Sequence, residues 1–254
     1  FADRAWPKSG AREVVLLVDT FNRYFEPENV HAAIRVLQAA GYHVHAAQPV
    51  DGSRPLCCGR TFLSAGLVDE ARAEAKRVLD ALAPWLARGI PIIGLEPSCL
   101  LTLRDEYGVL LPGTEALAKN SFLFEEFLAN ESTAGRLNLK LKAVAPEALL
   151  HGHCHQKAFA VMGAVEHVLR LVPELKVRTI ESSCCGMAGS FGYEAEHYEI
   201  SMKMGEASLL PAVRNASPDT LVVADGTSCR HQIAHGANRE AVHVARVLER
   251  ALAV

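Results

Sequence analysis

The chain has 254 residues, half of them hydrophobic, with a formal net charge of −3. That is enough for one large domain or two small ones, each with its own core. Its slight acidity and lack of any Lys/Arg block argue against nucleic acid or an anionic membrane surface as partner, and no run is long and apolar enough to span a bilayer.

Residues 1–11 are polar and contain Pro and Gly, a loose lead-in. Val14 to Val18 is a continuous apolar run of the kind buried on both faces of a parallel sheet, and it ends at Asp19-Thr20-Phe21. Helical periodicity from Pro27 to Ala40 is closed by Gly41. A short strand is predicted over His43 to Gln48, before a Gly/Pro-rich loop that leads to Cys57-Cys58-Gly59-Arg60. A long amphipathic helix is predicted over Leu67 to Arg88, and Pro91 to Leu95 reads as a strand delivering Glu96-Pro97-Ser98-Cys99. A helix follows through Leu103 to Glu106, and Ser121 to Asn130 reads as helical. The polar segment 131–147 is the best candidate boundary. Beyond it the order returns: strand Ala148 to His153 ending at Cys154, helix through Leu171, strand Val177 to Glu181 ending at Cys184-Cys185-Gly186. A helix from Tyr193 to Leu210, a strand from Thr220 to Ala224 ending at Cys229, and a helix from Arg239 to Leu252 complete it.

Alternating strands and helices predict an α/β fold with mainly parallel sheets flanked by helices and right-handed crossovers. The repeated order predicts two similar lobes, residues 1–135 and 146–254, related by an approximate two-fold axis with cysteine loops near the interface. Cys57-Cys58-Gly59 matches Cys184-Cys185-Gly186, Ser98-Cys99 matches Ser228-Cys229, and Thr20 stands where the second half has Cys154.

Seven cysteines in this arrangement do not fit a secreted disulfide framework, so a reducing, cytoplasmic compartment with thiols free or metal-bound is expected. Since the sequence begins at Phe1, its lack of a signal peptide carries little weight. Cys154, Cys184, Cys185 and Cys229 sit on loops after strands, and in an open α/β sheet such loops meet in one crevice. A single zinc ion favours C-x2-4-C knuckles, whereas adjacent cysteines suit separate irons of one cluster. Four thiolates are also the complement of a [4Fe–4S] cluster, so iron–sulfur is favoured and zinc is the alternative. His153, His155 and His231 can be ligands, proton carriers or donors to sulfur, or can simply cap and pack, and Lys157 can line an anionic site. There is neither a C-x2-C-x2-C run nor a G-x-G-x-x-G fingerprint, so nothing signals nucleotide binding here.

At the Cys-Cys-Gly motifs the chain resembles the cysteine-rich "CCG" domain. That domain usually occurs as a tandem pair, in the B subunit of heterodisulfide reductase, the iron–sulfur subunit of glycolate oxidase, the C subunit of the anaerobic glycerol-3-phosphate dehydrogenase and lactate-utilisation proteins. Val18 to Pro27 and Gly226 to Gln232 look most like the C-terminal part of fused FAD-linked D-lactate or D-2-hydroxyglutarate dehydrogenases. The resemblance implies electron transfer, with Cys154, Cys184, Cys185 and Cys229 as cluster ligands and Cys57, Cys58 and Cys99 as the first lobe's cofactor-binding set. It implies FAD on a partner dehydrogenase domain or subunit, a ferredoxin-like iron–sulfur domain, a quinone or cytochrome as acceptor, and inner-membrane association only through partners. The family motif ends in C-x-x-C, and here Thr102 and Gln232 hold its last place, which favours a four-cysteine cluster over a five-cysteine one. Thr20 marks the first site as degenerate, as a site for another metal, or as a pocket with Arg60, Glu96 and Arg104 for an electron acceptor. Two other functions compete: a zinc-stabilised docking domain without redox chemistry, and a thiol–disulfide reductase of heterodisulfide reductase type.

Overall fold

The computed structural model describes residues 12–253; the lead-in at residues 1–11 lies outside the described residues. The chain divides into two units, the first ending at Leu139 and the second beginning at Lys140.

In unit 1 the strands are β1 (Arg12–Leu16), β2 (Tyr42–Ala46), β3 (Ile92–Gly94) and β4 (Ser121–Leu123), in spatial order β2-β1-β3-β4 with every pair parallel. In unit 2 they are β5 (Glu147–His151), β6 (Lys176–Thr179), β7 (Leu221–Ala224) and β8 (Ala241–Val242), ordered β6-β5-β7-β8, again all parallel. Unit 2 therefore repeats the topology of unit 1. The central strands are apolar on both faces because helices cover both: Val14, Val15, Leu16, Ile92 and Ile93 have no exposure, and neither do Leu149, Leu150 and Val223. In this order the chain reverses direction across the sheet at the central pair, and the loops leaving those strands open a crevice at their carboxyl ends. Every cysteine follows a strand at that end.

Two expected helices start later than their sequence suggests. Ser121–Leu123 and Ala241–Val242 are edge strands, and the helices begin at Phe124 and Val244. Segments of two or three residues are too short to display a period of two, so a following helical pattern hides them. The helix expected over Tyr193 to Leu210 is broken as well, into two 3-10 turns, a helix Tyr198–Glu206 and another Leu209–Arg214. Pro211 lies in the first turn of the last piece; in a continuous helix its ring would meet the carbonyl four residues back.

No helix of the described residues is long and apolar enough to cross a membrane. Unit 1 is tied together by one buried carboxylate. Glu131 accepts hydrogen bonds from the Tyr42 hydroxyl, from Arg12 at 2.5 Å and from Arg136 at 2.5 Å, while the Arg12 guanidinium lies 4.3 Å over the Tyr42 ring. The Arg136 hydrogen bond, helped by Tyr42 and Arg12 and opposed by burial, holds Glu131 below its ordinary value of 4.5. A lowered folded-state value contributes stability above the unfolded value that is lost as pH falls through the folded one. Glu131→Gln should therefore destabilise unit 1 by about 1–3 kcal/mol near neutral pH, the scale for a buried charged hydrogen-bond centre. In urea melts the difference from wild type should shrink as pH falls below about 4.

Candidate metal centre

The second unit builds its site from three loops. From His151, the last residue of β5, the chain passes Gly152 and His153 and turns into the helix Cys154–Ala158. His153 caps that helix: its Nδ1 accepts from the His155 N–H at 3.1 Å, and Gln156 Oε1 accepts from the His153 N–H at 3.0 Å. Gln156 Nε2 then donates to Asp225 Oδ2 at 2.9 Å, and Asp225 Oδ1 accepts from the Val244 N–H at 3.0 Å. Asp225 thus fixes the loops after β5, β7 and β8 to one another. The Asp-Gly pair at the end of an apolar run signals a turn, and its role as a hub is not readable from sequence.

After β6 comes the cysteine pair. Gly186, at φ +100, turns the chain so that its own N–H donates to Cys184 Sγ at 3.3 Å. Lys157 holds the approach to the pair by donating to the carbonyls of Ser182 at 2.5 Å and Ser183 at 2.7 Å. Lys157, which the sequence leaves either solvated on its helix or lining an anionic site, braces the cysteine loop. Gln232 braces it from the other side, its Nε2 donating to the carbonyls of Cys185 at 3.0 Å and Ser201 at 3.1 Å. A glutamine committed in this way explains what stands in place of a fifth cysteine.

These supports bring the four thiols into one row. Cys184 is in hydrogen-bond contact with Cys154 on one side and Cys185 on the other, and Cys185 with Cys229. Cys185 and Cys229 are buried, Cys184 is half-buried and Cys154 is exposed. His151 belongs to the buried end, with a ring nitrogen within 4.8 Å of both the Cys185 and Cys229 sulfurs. His153 and His155 flank the exposed end, their Nδ1 atoms 3.9 and 3.7 Å from Cys154 Sγ. His231 is turned elsewhere, its Nδ1 2.6 Å from the Tyr193 hydroxyl. His151 was not among the histidines singled out by sequence. Its only signal is its place two residues before His153, at the end of a strand.

Unit 1 repeats the row with one change. Cys57 contacts Thr20 and Cys58, and Cys58 contacts Cys99, so Thr20 occupies the place of Cys154. Gly59, at φ +81, donates to Cys57 Sγ at 3.5 Å as Gly186 does to Cys184. Cys99 and Cys229 are each the third residue of a helix, Pro97–Arg104 and Thr227–Ala237. Helix-end electrostatics are therefore common to both. Arg60 is paired with Glu106, and Arg104 with Glu126 at 2.8 Å, so neither cation faces the thiols as a free charge.

The surrounding charges differ. Beside Cys99 lie the buried carboxylates of Asp19 and Glu96. Burial first, and Glu96 second, push Asp19 up to about 6. Cys58 donates to Cys99 and pulls it down, but burial, Asp19 and Glu96 prevail and push it up to about 11. The Cys58 contact first, and burial next, push Cys57 up too; for Cys58, the contact with Cys99 and burial outweigh the downward pull of Cys57. In unit 2 the neighbours are His151, His153 and Lys157. Cys229 is held well below the ordinary thiol range by the Cys185 thiol and, after burial's opposing effect, by His151 and His153. Cys184 is lowered by the thiols of Cys154 and Cys185 and by the Gly186 N–H, while Cys154 and Cys185, which donate to it, are raised. Thiolate is the metal-binding form of cysteine. Unit 2 thus has two thiols pulled toward the metal-binding form, Cys184 and Cys229, whereas all three thiols of unit 1 are pushed away from it.

Residues 148–234 match the family described as cysteine-rich domain, CCG. The chain is 29% identical to the C subunit of the anaerobic glycerol-3-phosphate dehydrogenase of Escherichia coli, over 98% of its own length and 63% of that protein. It is 31% identical to D-2-hydroxyglutarate dehydrogenase of Pseudomonas putida, over 95% of its length and 23% of that protein. It is 22% identical to lactate utilization protein A 2 of Bacillus cereus, over 94% of its length and 99% of that protein. The chain thus spans less than two thirds of the first relative and less than a quarter of the second.

Gly186 is the position that the site tolerates least. A Cβ there would lie 2.2 Å from the Ser201 carbonyl oxygen and 3.0 Å from Gln232 Nε2, at a backbone angle that side chains disfavour. Gly186→Ala should cost about 2 kcal/mol or more, through overlap added to strain. Gly189, at φ +71 with nothing within 4 Å of an added Cβ, is the control. Gly189→Ala should cost about 1–2 kcal/mol, the strain alone, and denaturant midpoints of the two variants measure the difference.

Proposed function

We propose that this chain, whose second unit is a cysteine-rich CCG domain, is the iron–sulfur electron-transfer module of a flavin-linked oxidoreductase that oxidises a 2-hydroxy acid. Its relatives include a glycerol-3-phosphate dehydrogenase component and a D-2-hydroxyglutarate dehydrogenase, which supports a dehydrogenase role. The observation that carries the reading is that three loops bring the thiols of Cys154, Cys184, Cys185 and Cys229 into one row of mutual contacts.

The residues fit a [4Fe–4S] centre by the chemistry of their donors. Cys154, Cys184, Cys185 and Cys229 supply four soft sulfurs, and the Gly186 N–H already meets one of them. Adjacent Cys184 and Cys185 suit a centre with separate metal atoms better than one tetrahedral ion. When bound, such a centre supplies one-electron storage. Lys157 and Gln232 hold the cysteine loop, and Asp225 holds the loops around it, so the sulfurs keep their places as charge changes. FAD and the substrate belong to a partner domain or subunit, and a ferredoxin-like iron–sulfur domain and a quinone or cytochrome complete the electron path.

Anaerobically purified protein should be brown, contain iron in excess of zinc, and give a low-temperature EPR signal in one of its two redox states. Colourless protein with about one zinc per chain would overturn the reading in favour of a zinc-stabilised docking domain. The two rows should differ in kind. Cys184→Ser should remove most of the iron, because a hydroxyl is a poor ligand for it. Cys57→Ser should leave most of it, because Thr20, Asp19 and Glu96 make unit 1 the weaker site. Equal iron loss per chain in the two variants would contradict this order.

A further inference from the structure

His151 occupies a position that the four thiols do not explain. It ends β5, is 1% exposed, and has a ring nitrogen within 4.8 Å of the sulfurs of Cys185 and Cys229. Its Nδ1 lies 2.9 Å from Ser182 Oγ, while its buried Nε2 meets no nitrogen or oxygen partner and has the Cys229 sulfur as its neighbour. A buried polar atom left unpaired costs about 1–3 kcal/mol, so such a position calls for an acceptor or a ligand beside it.

Ser182 decides which of these His151 needs. The Lys157 ammonium is occupied by the Ser182 carbonyl at 2.5 Å, the Ser183 carbonyl at 2.7 Å and, more loosely, Ser182 Oγ at 3.5 Å. A hydroxyl beside an ammonium turns a lone pair toward it and its proton away. The acceptor on the far side is His151 Nδ1. With Nδ1 accepting, the one proton of the neutral ring sits on Nε2. The other tautomer would direct a bare lone pair at the lone pairs of the neighbouring sulfurs, an unfavourable pairing without a proton or a metal between them.

Unit 1 lacks this relay. Counting back three residues from Thr20, as from Cys154, leads to Leu17 in place of His151. Counting back two from Cys57, as from Cys184, leads to Pro55 in place of Ser182. Leu17 is 5% exposed, so an apolar side chain fills the equivalent buried position without a donor.

We propose that His151 is a positioning residue of the metal centre: Lys157 and Ser182 fix its tautomer, and its Nε2–H donates a hydrogen bond to the sulfurs of the Cys185–Cys229 pair. The consequence for redox rests on the electron-transfer reading above. An N–H donated to cysteine sulfur stabilises the reduced, more negative state and raises the reduction potential.

Two measurements test it. Ring spectra of the thiol-reduced chain labelled with 15N-histidine, with bound metal removed, identify His151 as the signals missing from His151→Gln. They should show a proton on Nε2 and none on Nδ1, and Ser182→Ala should mix the two tautomers. A proton on Nδ1, in the reduced chain or after zinc is added, would overturn the proposal in favour of direct ligation. In iron-loaded protein, His151→Leu, which copies unit 1, should keep its iron and move the midpoint potential to more negative values. His151→Gln keeps an amide donor and should fall between it and wild type. An unchanged potential in His151→Leu, or loss of its iron, would equally overturn the proposal. Wild-type protein that takes up no iron would count against the electron-transfer reading alone, and the tautomer spectra then decide the role of His151.

Discussion

Everything at the second site depends on one awkward constraint: two consecutive residues have to present their sulfurs to the same row. Neighbouring side chains ordinarily point apart. Here the chain leaves β6, passes Cys184 and Cys185, and is turned at once by a glycine in a left-handed conformation whose N–H comes back to the first sulfur. Such a loop has no regular hydrogen bonding of its own, so others supply it: Lys157 takes the carbonyls before the pair and Gln232 takes the carbonyl within it. The loops after β5 and β7 are fixed by Asp225 and Gln156, so all three approaches are held from behind.

The second theme is charge. The two units share strand order, cysteine placement and even the glycine N–H contact to the first thiol of the pair. They differ in what lies next to the sulfurs. Carboxylates at Asp19 and Glu96 oppose negative sulfur in unit 1, and imidazoles at His151 and His153 favour it in unit 2. Helix ends and burial act alike on Cys99 and Cys229, so the neighbouring groups decide, and they move the two thiols in opposite directions. A fold this similar can therefore surround its thiols with opposite charges after few changes, because pairwise electrostatics are stronger in a buried crevice than in water.

Much of this was legible in the sequence, and the rest was not for definite reasons. The α/β class and the repeated order follow from apolar runs such as Val14 to Leu17 and Leu221 to Ala224, which only a doubly covered parallel sheet accommodates. The edge strands at Ser121 and Ala241 escaped notice because segments that short carry no period. The break ahead of Pro211 was hidden by the helical pattern around it, which is the stronger signal. The cysteines stood out by type and spacing. His151, Ser182 and Asp225 did not, since a histidine, a serine and an aspartate at strand ends are common, and only the three-dimensional arrangement shows what each one faces. Gln232 was noticed as a missing cysteine; that it clamps the loop required the structure.

The unequal burial of the four thiols has its own consequence. Three sulfurs are at least partly covered, and Cys154 is exposed at the end of the row. Reagents reach a row of this kind from its open end, but the thiolate is the reactive form, and exposed Cys154 is pushed up while half-buried Cys184 beside it is pulled down. An oxidant that turns Cys154 into a sulfenic acid leaves it touching Cys184, and the two condense to a disulfide. Loss of the outermost thiol of unit 2 therefore takes a second one with it, whereas unit 1, with Thr20 at that place, offers no thiol there to begin the reaction.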